Sequence, residues 1–210
     1  MYKLYWAAET GALAPQIILE EVGADYERVV IDMEKGEEMQ AGYLAINPRG
    51  QIPALTLPDG SVVTESAAIV LHLADTYPDV GLLPPAGSAE RAQVYRWLFY
   101  AVANIYESVE RLYYSDRYTT DARSAESVEQ AAREYMDNAW DLLETELNDG
   151  PFLLGNQYTV IDAYLLMLTR WHEQPQTLLS RCPKLKLLCD SVRSRPAVER
   201  IWSQHYPQDS

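Results

Sequence analysis

The sequence has few of the residues that usually carry redox or metal chemistry. Its 210 residues include only two cysteines, Cys182 and Cys189. They lie in a segment with helical character, and a seven-residue spacing in a helix separates two positions by about two turns, or ~10 Å. That distance is too long for a disulfide, and the spacing matches neither a metal-binding pair nor a CxxC redox motif. We therefore expect two ordinary buried thiols.

Positive charge is also scarce. The chain has 17 Lys and Arg residues against 31 Asp and Glu residues, for a formal net charge of −14. This imbalance argues against nucleic acid and against anionic membrane surfaces as partners, and an acidic surface also favours solubility. No segment approaches the roughly 18 apolar residues of a membrane span, and the N-terminus lacks the pattern of a signal peptide. We expect a soluble cytoplasmic protein.

The first 80 residues alternate between strand-like and helix-like segments. The strand-like segments are YKLYWA, YERVVID, PALTL and SVVT, of which the last two flank a turn at Pro58 and Gly60. Helical spacing of apolar residues is present in ALAPQIILEEVG and ESAAIVLHLADTY, and more weakly in EKGEEMQAGYLAI. The order β-α-β-α-β-β-α predicts an α/β domain with a mixed four-stranded sheet covered by helices.

The rest of the chain has no strand-like segments. Residues 78–88 are rich in Pro and Gly, as is typical of a linker, and every later segment has helical character. We therefore predict an α/β domain at 1–80, a linker at 81–88 and an all-helical domain at 89–210. Within the helical domain, Thr159 and Asp162 have the spacing of a capping box at the start of the apolar helix TVIDAYLLMLTRWH.

The segment NPRGQIPALTLPDGSVVTES, residues 47–66, contains the most specific signal. A proline directly before a central strand cannot donate to the ladder. A sheet tolerates Pro53 if the Ile52–Pro53 bond is cis, because the backbone then turns outward. The N–H and carbonyl of Ile52 are then free to pair with an extended peptide ligand as an added strand.

The tripeptide TES at the end of this segment opens a helix. Free N–H groups and the helix dipole favour an anion there, so Ser66 could bind a carboxylate. Glu65 is suited to a neighbouring ammonium group. Together the two residues match the head group of an α-amino acid. The simpler alternative is that Thr64, Glu65 and Ser66 only cap the helix.

Taken together, these features resemble the cytosolic glutathione transferases, and the resemblance covers the whole chain. The matching segments are NPRGQIPAL, TESAAIVLHLAD and GNQYTVIDAYL. The segment KLYWAAETGALAP is most similar to the bacterial beta-like members. The resemblance implies a thioredoxin-like N-terminal domain that binds glutathione as co-substrate, an all-helical domain that contributes the electrophile pocket, and no metal. It also implies a homodimer.

The resemblance further assigns roles in glutathione binding. Glu65 and Ser66 would hold the γ-glutamyl head group, and Ile52 would pair with the cysteinyl unit beside cis-Pro53. The glycine carboxylate would be met by a third group of side chains, namely Gln51, Lys35 and Arg49.

The family also needs a group that stabilises the glutathione thiolate, and here the sequence departs from the pattern. Gly11 stands where beta-like members have a cysteine. Three candidates remain open: Thr10, the adjacent hydroxyl; Tyr5, on the first strand; and Tyr106, on a long helix where beta-like enzymes often have a histidine. Thr10 also fits an ordinary turn residue, and Tyr5 and Tyr106 also fit packing roles. Backbone N–H groups at the helix start are a further possibility.

Three functions are compatible with this sequence. The first is a glutathione transferase that adds the thiolate to a small hydrophobic electrophile, forming an alkyl or aryl conjugate, as in detoxification. The second is a glutathione-dependent disulfide or peroxide reductase that uses no protein cysteine. The third is a binding protein that keeps the fold without catalysis. The retained Ile52, Glu65 and Ser66 favour a functional glutathione site.

Overall fold

The structure, a computed structural model, describes residues 1–209 and divides them into two compact units. One unit comprises residues 1–83 together with 193–209, and the other comprises residues 84–192. The first contains a four-stranded mixed sheet with helices, and the described residues of the second contain helices throughout. The predicted fold class is confirmed. The domain boundaries expected from the sequence, at 1–80, 81–88 and 89–210, stay a prediction.

The sheet has the strand order β2-β1-β3-β4. Strands β1 and β2 are parallel, whereas β3 is antiparallel to both β1 and β4. The strands are β1 (Tyr2–Trp6), β2 (Tyr26–Val30), β3 (Ala54–Thr56) and β4 (Val62–Thr64). The helices of the first 83 residues are α1 (Leu13–Glu21), α2 (Ala41–Leu44) and α3 (Ser66–Thr76).

The core of this unit forms where α1 and α3 pack together against the sheet. Residues 13–19 of helix α1 are all buried, which shows that the helix is covered on most sides. Side chains with no exposed surface come from both helices and the two central strands: Leu4, Ile17, Ile18, Leu55, Ile69 and Leu73. Truncating one such side chain to alanine typically costs about 2–5 kcal/mol, so this packing keeps the strand ends in place.

The unit of residues 84–192 is built around a buried apolar helix. Its helices are α4 (Ala89–Tyr100), α5 (Glu107–Tyr113), α6 (Ala125–Glu146), α7 (Val160–Thr169), α8 (Pro175–Arg181) and α9 (Pro183–Arg193), the last residue of which falls in the other unit. All ten residues of α7 are buried. The predicted long helix from residue 89 is present, with a π-helical segment at Ala101–Tyr106 between α4 and α5.

The capping box of α7 is present as predicted. The carboxylate of Asp162 accepts from the backbone N–H of Thr159 at 2.7 Å and from that of Leu153, also at 2.7 Å. Thr159 and Asp162 have no exposed surface. The start of a buried helix cannot rely on water, so these hydrogen bonds satisfy N–H groups that would otherwise be left unpaired.

The last helix, α10 (Pro196–His205), belongs to the unit that contains the sheet and packs against α1. Two ion pairs join the helices: Arg195 with Glu21 at 2.5 Å, and Arg200 with Glu20 at 2.9 Å. The sequence pattern groups this helix with the other helices, because its amphipathic spacing does not indicate which surface it covers. Its position next to α1 is a result of tertiary packing.

Candidate functional site

The pairing of the four strands brings the predicted binding segments to one edge of the sheet. Tyr5 pairs with Val29 on one side and Ala54 on the other, and Ala54 pairs with Thr64. These four residues form one row across the sheet, close to the end of β1, β2 and β4 and at the start of β3. The segments next to that row are therefore neighbours: the turn at residues 7–12, the loop after β2, the loop before β3 and the start of α3.

The loop before β3 has the predicted backbone geometry. The Ile52–Pro53 peptide bond is cis, and β3 begins at Ala54. The N–H and carbonyl of Ile52 take part in no hydrogen bond among the described residues. The preceding carbonyl, of Gln51, accepts from the hydroxyl of Tyr43 at 2.7 Å and from the amide of Asn47 at 2.6 Å. Two hydrogen bonds thus hold the loop at Gln51, whereas the backbone of Ile52 is unpaired among the described residues.

Glu65 has an unusual backbone conformation at the start of α3. Its φ is 65° and its ψ is 110°, in a region that costs a non-glycine residue about 1 kcal/mol or more. Its side chain is exposed, and its carboxylate has no hydrogen bond or ion pair among the described residues. The next residue, Ser66, is the first residue of α3 and is buried. The start of α3 therefore presents an exposed acid with a strained backbone next to a helix N-terminus.

Three side chains, those of Gln51, Lys35 and Arg49, are expected near the glycine carboxylate of glutathione, and they differ in their surroundings. Arg49 and Gln51 are exposed in the same loop, where Nε of Arg49 donates to Oε1 of Gln51 at 2.7 Å. Lys35 lies after β2, with its ammonium 2.5 Å from the carboxylate of Asp32. That hydrogen bond lowers the pKa of the Asp32 carboxyl. Arg49 and Gln51 are therefore hydrogen-bonded to each other, whereas Lys35 is paired with Asp32.

Thr10 makes local hydrogen bonds within the turn that joins β1 to α1. Its hydroxyl donates to the carbonyl of Ala7 at 2.8 Å and accepts from the N–H of Ala12 at 3.3 Å. The hydroxyl hydrogen must rotate away from Ala7 before it can reach a sulfur atom. The backbone N–H groups of Gly11 and Ala14 donate to no group among the described residues. The turn therefore offers both a hydroxyl and unpaired N–H groups.

The two tyrosine candidates lie in different units. Tyr5 is half-buried on β1, with its ring 5.7 Å from that of Tyr43 in an edge-on contact. Tyr106 ends the π-helical segment of the helical unit, with its ring 5.1 Å from that of Trp171. Both rings pack against an aromatic neighbour, and their catalytic roles stay predictions. π-Helical segments are frequent at functional sites, so the position of Tyr106 is compatible with its predicted role.

One buried contact next to the turn joins two residues that no sequence motif connects. The indole N–H of Trp6 donates to Nε2 of His205 at 3.0 Å, although the residues are 199 positions apart. The side-chain oxygen Oε1 of Gln16 lies 2.8 Å from the same nitrogen, so Nε2 faces both a donor and an acceptor. Burial, together with the positive charge of Arg28, lowers the pKa of His205 to about 3. No local pattern in the sequence could have revealed this pair.

The two cysteines are poorly suited to chemistry. Cys182 closes α8 and Cys189 lies within α9, so they do not share the single helix expected from the sequence. Both are free and buried, and burial raises the pKa of the Cys182 thiol to about 11 and that of Cys189 to about 12. A thiol that stays protonated at neutral pH is a weak nucleophile.

Within residues 1–209, no three His, Cys, Asp or Glu side chains are grouped so that they could hold a metal ion. In the same residues, no helix has both the length and the apolar character that crossing a membrane requires.

Comparison with known proteins relates both parts of the chain to a single protein family. Residues 12–76 match the family profile "Glutathione S-transferase, N-terminal domain", and residues 104–202 match "Glutathione S-transferase, C-terminal domain". The chain is 31% identical over 198 residues to glutathione S-transferase GstA of Escherichia coli O157:H7, covering 94% of this chain and 95% of the relative. It is 27% identical over 208 residues to the disulfide-bond oxidoreductase YfcG of Escherichia coli K12, covering 94% and 93% of the two chains.

Solved structures show the same similarity in three dimensions. A glutathione transferase homologue from Sulfitobacter with bound glutathione superposes with a TM-score of 0.90 at 27% identity, covering 97% of this chain and 98% of the other. The beta-class enzyme of Sphingomonas chungbukensis has a TM-score of 0.81 at 29% identity, with the same coverage. The family resemblance inferred from the sequence is confirmed, and the chain belongs to the cytosolic glutathione S-transferase family.

Proposed function

We propose that this protein is a glutathione transferase that binds glutathione at the shared sheet edge and activates its thiol for attack on a small hydrophobic electrophile. The observation that carries the proposal is the pairing of Ala54 with Thr64. This register brings the unpaired backbone of Ile52 and the unpaired carboxylate of Glu65 to the same end of two adjacent strands. A peptide with an α-amino acid head group complements both.

Glutathione fits these groups in one orientation. Its γ-glutamyl ammonium would face the carboxylate of Glu65, and its α-carboxylate would meet Ser66 at the N-terminus of α3. The backbone N–H and carbonyl of Ile52, beside Pro53, would pair with the cysteinyl unit as an added strand. The glycine carboxylate would lie toward the exposed cations of the neighbouring loops, with Gln51, Arg49 and Lys35 as its candidate partners.

Activation of the thiol is the step that requires a donor. An unperturbed thiol has a pKa of roughly 8.5, and lowering it by two units requires about 2.7 kcal/mol of preferential thiolate stabilisation. Thr10 can supply one hydrogen bond once its hydroxyl rotates, and the unpaired N–H of Gly11 can supply another. Because Gly11 has no side chain, backbone N–H donation is open at the position where beta-like relatives have a cysteine. Tyr5 and Tyr106 remain secondary candidates.

In the reaction, the glutathione sulfur is the nucleophile. The thiol proton leaves to solvent, and the sulfur lone pair forms a carbon–sulfur bond with the electrophilic carbon. In an aryl halide the carbon–halogen bond breaks, and the halide leaves with its electron pair. The products are the glutathione thioether, a proton and a halide ion, so the protein serves as the site of transfer and is not consumed.

A second candidate function is glutathione-dependent reduction of a disulfide or peroxide. The similarity to the oxidoreductase YfcG over most of both chains favours it. Two glutathione molecules would supply the electrons and leave as glutathione disulfide, since the thiols of Cys182 and Cys189 are buried with raised pKa values. This reaction uses the same thiolate, so the two functions share one binding site.

The proposal includes a homodimer in the cytoplasm. Helices α4 and α6 are adjacent, since the hydroxyl of Tyr100 donates to the carbonyl of Ala139 at 3.1 Å. Large side chains stand exposed on this pair, with Phe99 at 68% and Tyr135 at 50% exposure. Burying such a surface against a second copy is favourable, and analytical ultracentrifugation tests it. The cytoplasmic location rests on membership of the cytosolic family.

Two measurements on the wild-type protein test the function. Calorimetric titration with glutathione comes first, and the absence of binding would overturn the proposal. Turnover is then measured with glutathione and a panel of aryl halides, epoxides, disulfides and peroxides. Conjugation of a halide or epoxide supports the transferase, and turnover of disulfides or peroxides alone favours the reductase. Binding with no turnover across the panel would identify a non-catalytic binding protein.

A further inference from the structure

The end of β1 is tied to the last helix of the chain by a buried hydrogen bond. The indole N–H of Trp6 donates to Nε2 of His205 at 3.0 Å, and the two rings meet edge-on with their centroids 5.0 Å apart. Trp6 is 6% exposed and His205 is 0% exposed. A buried indole N–H needs an acceptor, and leaving it unpaired costs free energy.

Polar contacts around this pair hold α10 against α1. The amide of Gln16 donates to the side-chain oxygen of Gln204 at 2.9 Å, and the guanidinium of Arg28 hydrogen-bonds to the same oxygen. The guanidinium of Arg28 also lies 4.4 Å from the centre of the Trp6 ring. With the ion pairs to Glu20 and Glu21 already described, these contacts fix the place of His205 relative to β1.

Trp6 directly precedes the turn of the candidate site. The carbonyl of Trp6 accepts from the N–H of Ile31 at 2.9 Å, so its backbone is held as firmly as its side chain. The next carbonyl, of Ala7, accepts the hydroxyl hydrogen of Thr10. Because peptide units are planar, each residue has only two soft backbone dihedrals, so fixing Trp6 limits the directions open to the Ala7 carbonyl. That carbonyl is the acceptor of the Thr10 hydroxyl.

We propose that His205 is a positioning residue that acts through Trp6 to hold the turn of residues 7–12 in the geometry needed at the glutathione sulfur. The inference rests on the proposed function. His205 touches neither Thr10 nor Gly11 and contributes by fixing the residue at which the turn begins. The C-terminal helix is thereby part of the support of the site in the unit that contains the sheet.

A neutral histidine suits this role for two reasons. Nε2 lies within hydrogen-bond distance of the Trp6 N–H at 3.0 Å and of Oε1 of Gln16 at 2.8 Å, and the ring packs edge-on against the indole. The other nitrogen, Nδ1, has no hydrogen-bond partner among the described residues. Burial disfavours the charged ring, so one of its two nitrogens remains an acceptor at neutral pH. Phenylalanine would keep the ring and remove the acceptor, whereas glutamine would place an amide oxygen close to the position of Nε2.

The test compares His205→Phe, His205→Gln and Trp6→Phe with the wild type. Amide hydrogen exchange is measured without glutathione at Ala12 and Leu13, whose N–H groups bond to Thr10. We expect about tenfold faster exchange in His205→Phe, equivalent to the loss of one hydrogen bond, and recovery in His205→Gln. Exchange in α7 serves as the internal control and should remain unchanged.

The second measurement is made on the glutathione complex. In His205→Phe we expect the pKa of the bound thiol to rise by about one unit and kcat to fall about tenfold, with KM for glutathione within about twofold. A merely structural role would lower stability and leave the thiol pKa unchanged. Rescue of the thiol pKa by His205→Gln would support the positioning role.

Two results would overturn the inference. One is a folded His205→Phe protein whose turn amides exchange at the wild-type rate, and the other is faster exchange with an unchanged thiol pKa. If His205→Phe does not fold, Trp6→Phe removes the same hydrogen bond from the other side and decides the question. If the wild type binds no glutathione, the proposed function fails, and the exchange measurement alone still decides whether His205 positions the turn.

Discussion

Ala54 pairs with Thr64 in the antiparallel ladder of β3 and β4. The residue before Ala54 is the cis proline Pro53, and the residue after Thr64 is Glu65, with its positive φ. One register of pairing therefore brings two unusual backbone conformations to the same sheet edge. A shift of one residue would reverse the sheet face to which the side chains of one strand point.

Glu65 is expected to hold the ammonium of glutathione. Replacing Glu65 with Gln should weaken glutathione binding more than about tenfold, because one charge-assisted hydrogen bond contributes about 1.5–3 kcal/mol. Isothermal titration calorimetry measures the change. Glu126→Gln, at an exposed acid in the first turn of α6, is the matched control for lost charge and should bind normally. Equal affinity in Glu65→Gln and wild type would rule out this assignment.

Thr10 is expected to contribute to the stability of the bound thiolate. Thr10→Ala should raise the pKa of bound glutathione, because the hydroxyl donor is lost and the hydrogen bonds to Ala7 and Ala12 are lost with it. Thr10→Ser keeps the hydroxyl and should titrate like the wild type. The thiolate absorbance followed against pH gives the pKa. An unmoved titration in Thr10→Ala would leave the backbone N–H groups, including that of Gly11, as the donors.

The buried capping box should matter for stability and not for chemistry. Thr159→Ala should lower the free energy of unfolding by about 1 kcal/mol. Asp162→Ala should cost more, because it leaves the buried N–H groups of Thr159 and Leu153 without acceptors. Denaturant unfolding measures both values, and the pKa of bound glutathione should not change. A larger loss for Thr159→Ala than for Asp162→Ala would contradict this account.

His205 should give the protein a specific dependence of stability on pH. Its pKa is about 3 when folded, below the roughly 6.5 of an exposed histidine, so between these values the unfolded chain binds more protons. The free energy of unfolding therefore falls as pH is lowered through this range, by up to about 1.4 kcal/mol per pH unit from this residue. His205→Gln should lack this component. The check is denaturant unfolding of both proteins from about pH 7 to about pH 4, where parallel curves would exclude it.

The cysteines should be dispensable for glutathione chemistry. A double variant, Cys182→Ala with Cys189→Ala, should keep its turnover with halide and disulfide substrates within about twofold of wild type, since both thiols are buried with raised pKa values. Stability should fall by about 1–3 kcal/mol because small cavities form. Loss of disulfide turnover alone, in a folded variant, would show that a protein thiol takes part.

The sequence by itself determined much of the fold and the chemical character of the site. The alternation of strands and helices over residues 1–80 is local, since it depends on side-chain periodicity and on turn residues such as Pro58 and Gly60. The cis bond before Pro53 and the capping box of Asp162 are local as well, because each involves residues within a few positions of one another. These features were predicted for that reason, and the structure confirms them.

Contacts between distant residues depend on how the folded elements pack together. Amphipathic spacing shows that α10 has an apolar face, and the contact with α1 is settled only by packing. The bond from Trp6 to His205 spans 199 positions and has no local signature. Long-range complementarity between surfaces decides such contacts, whereas sequence periodicity reports only which face of each element is apolar.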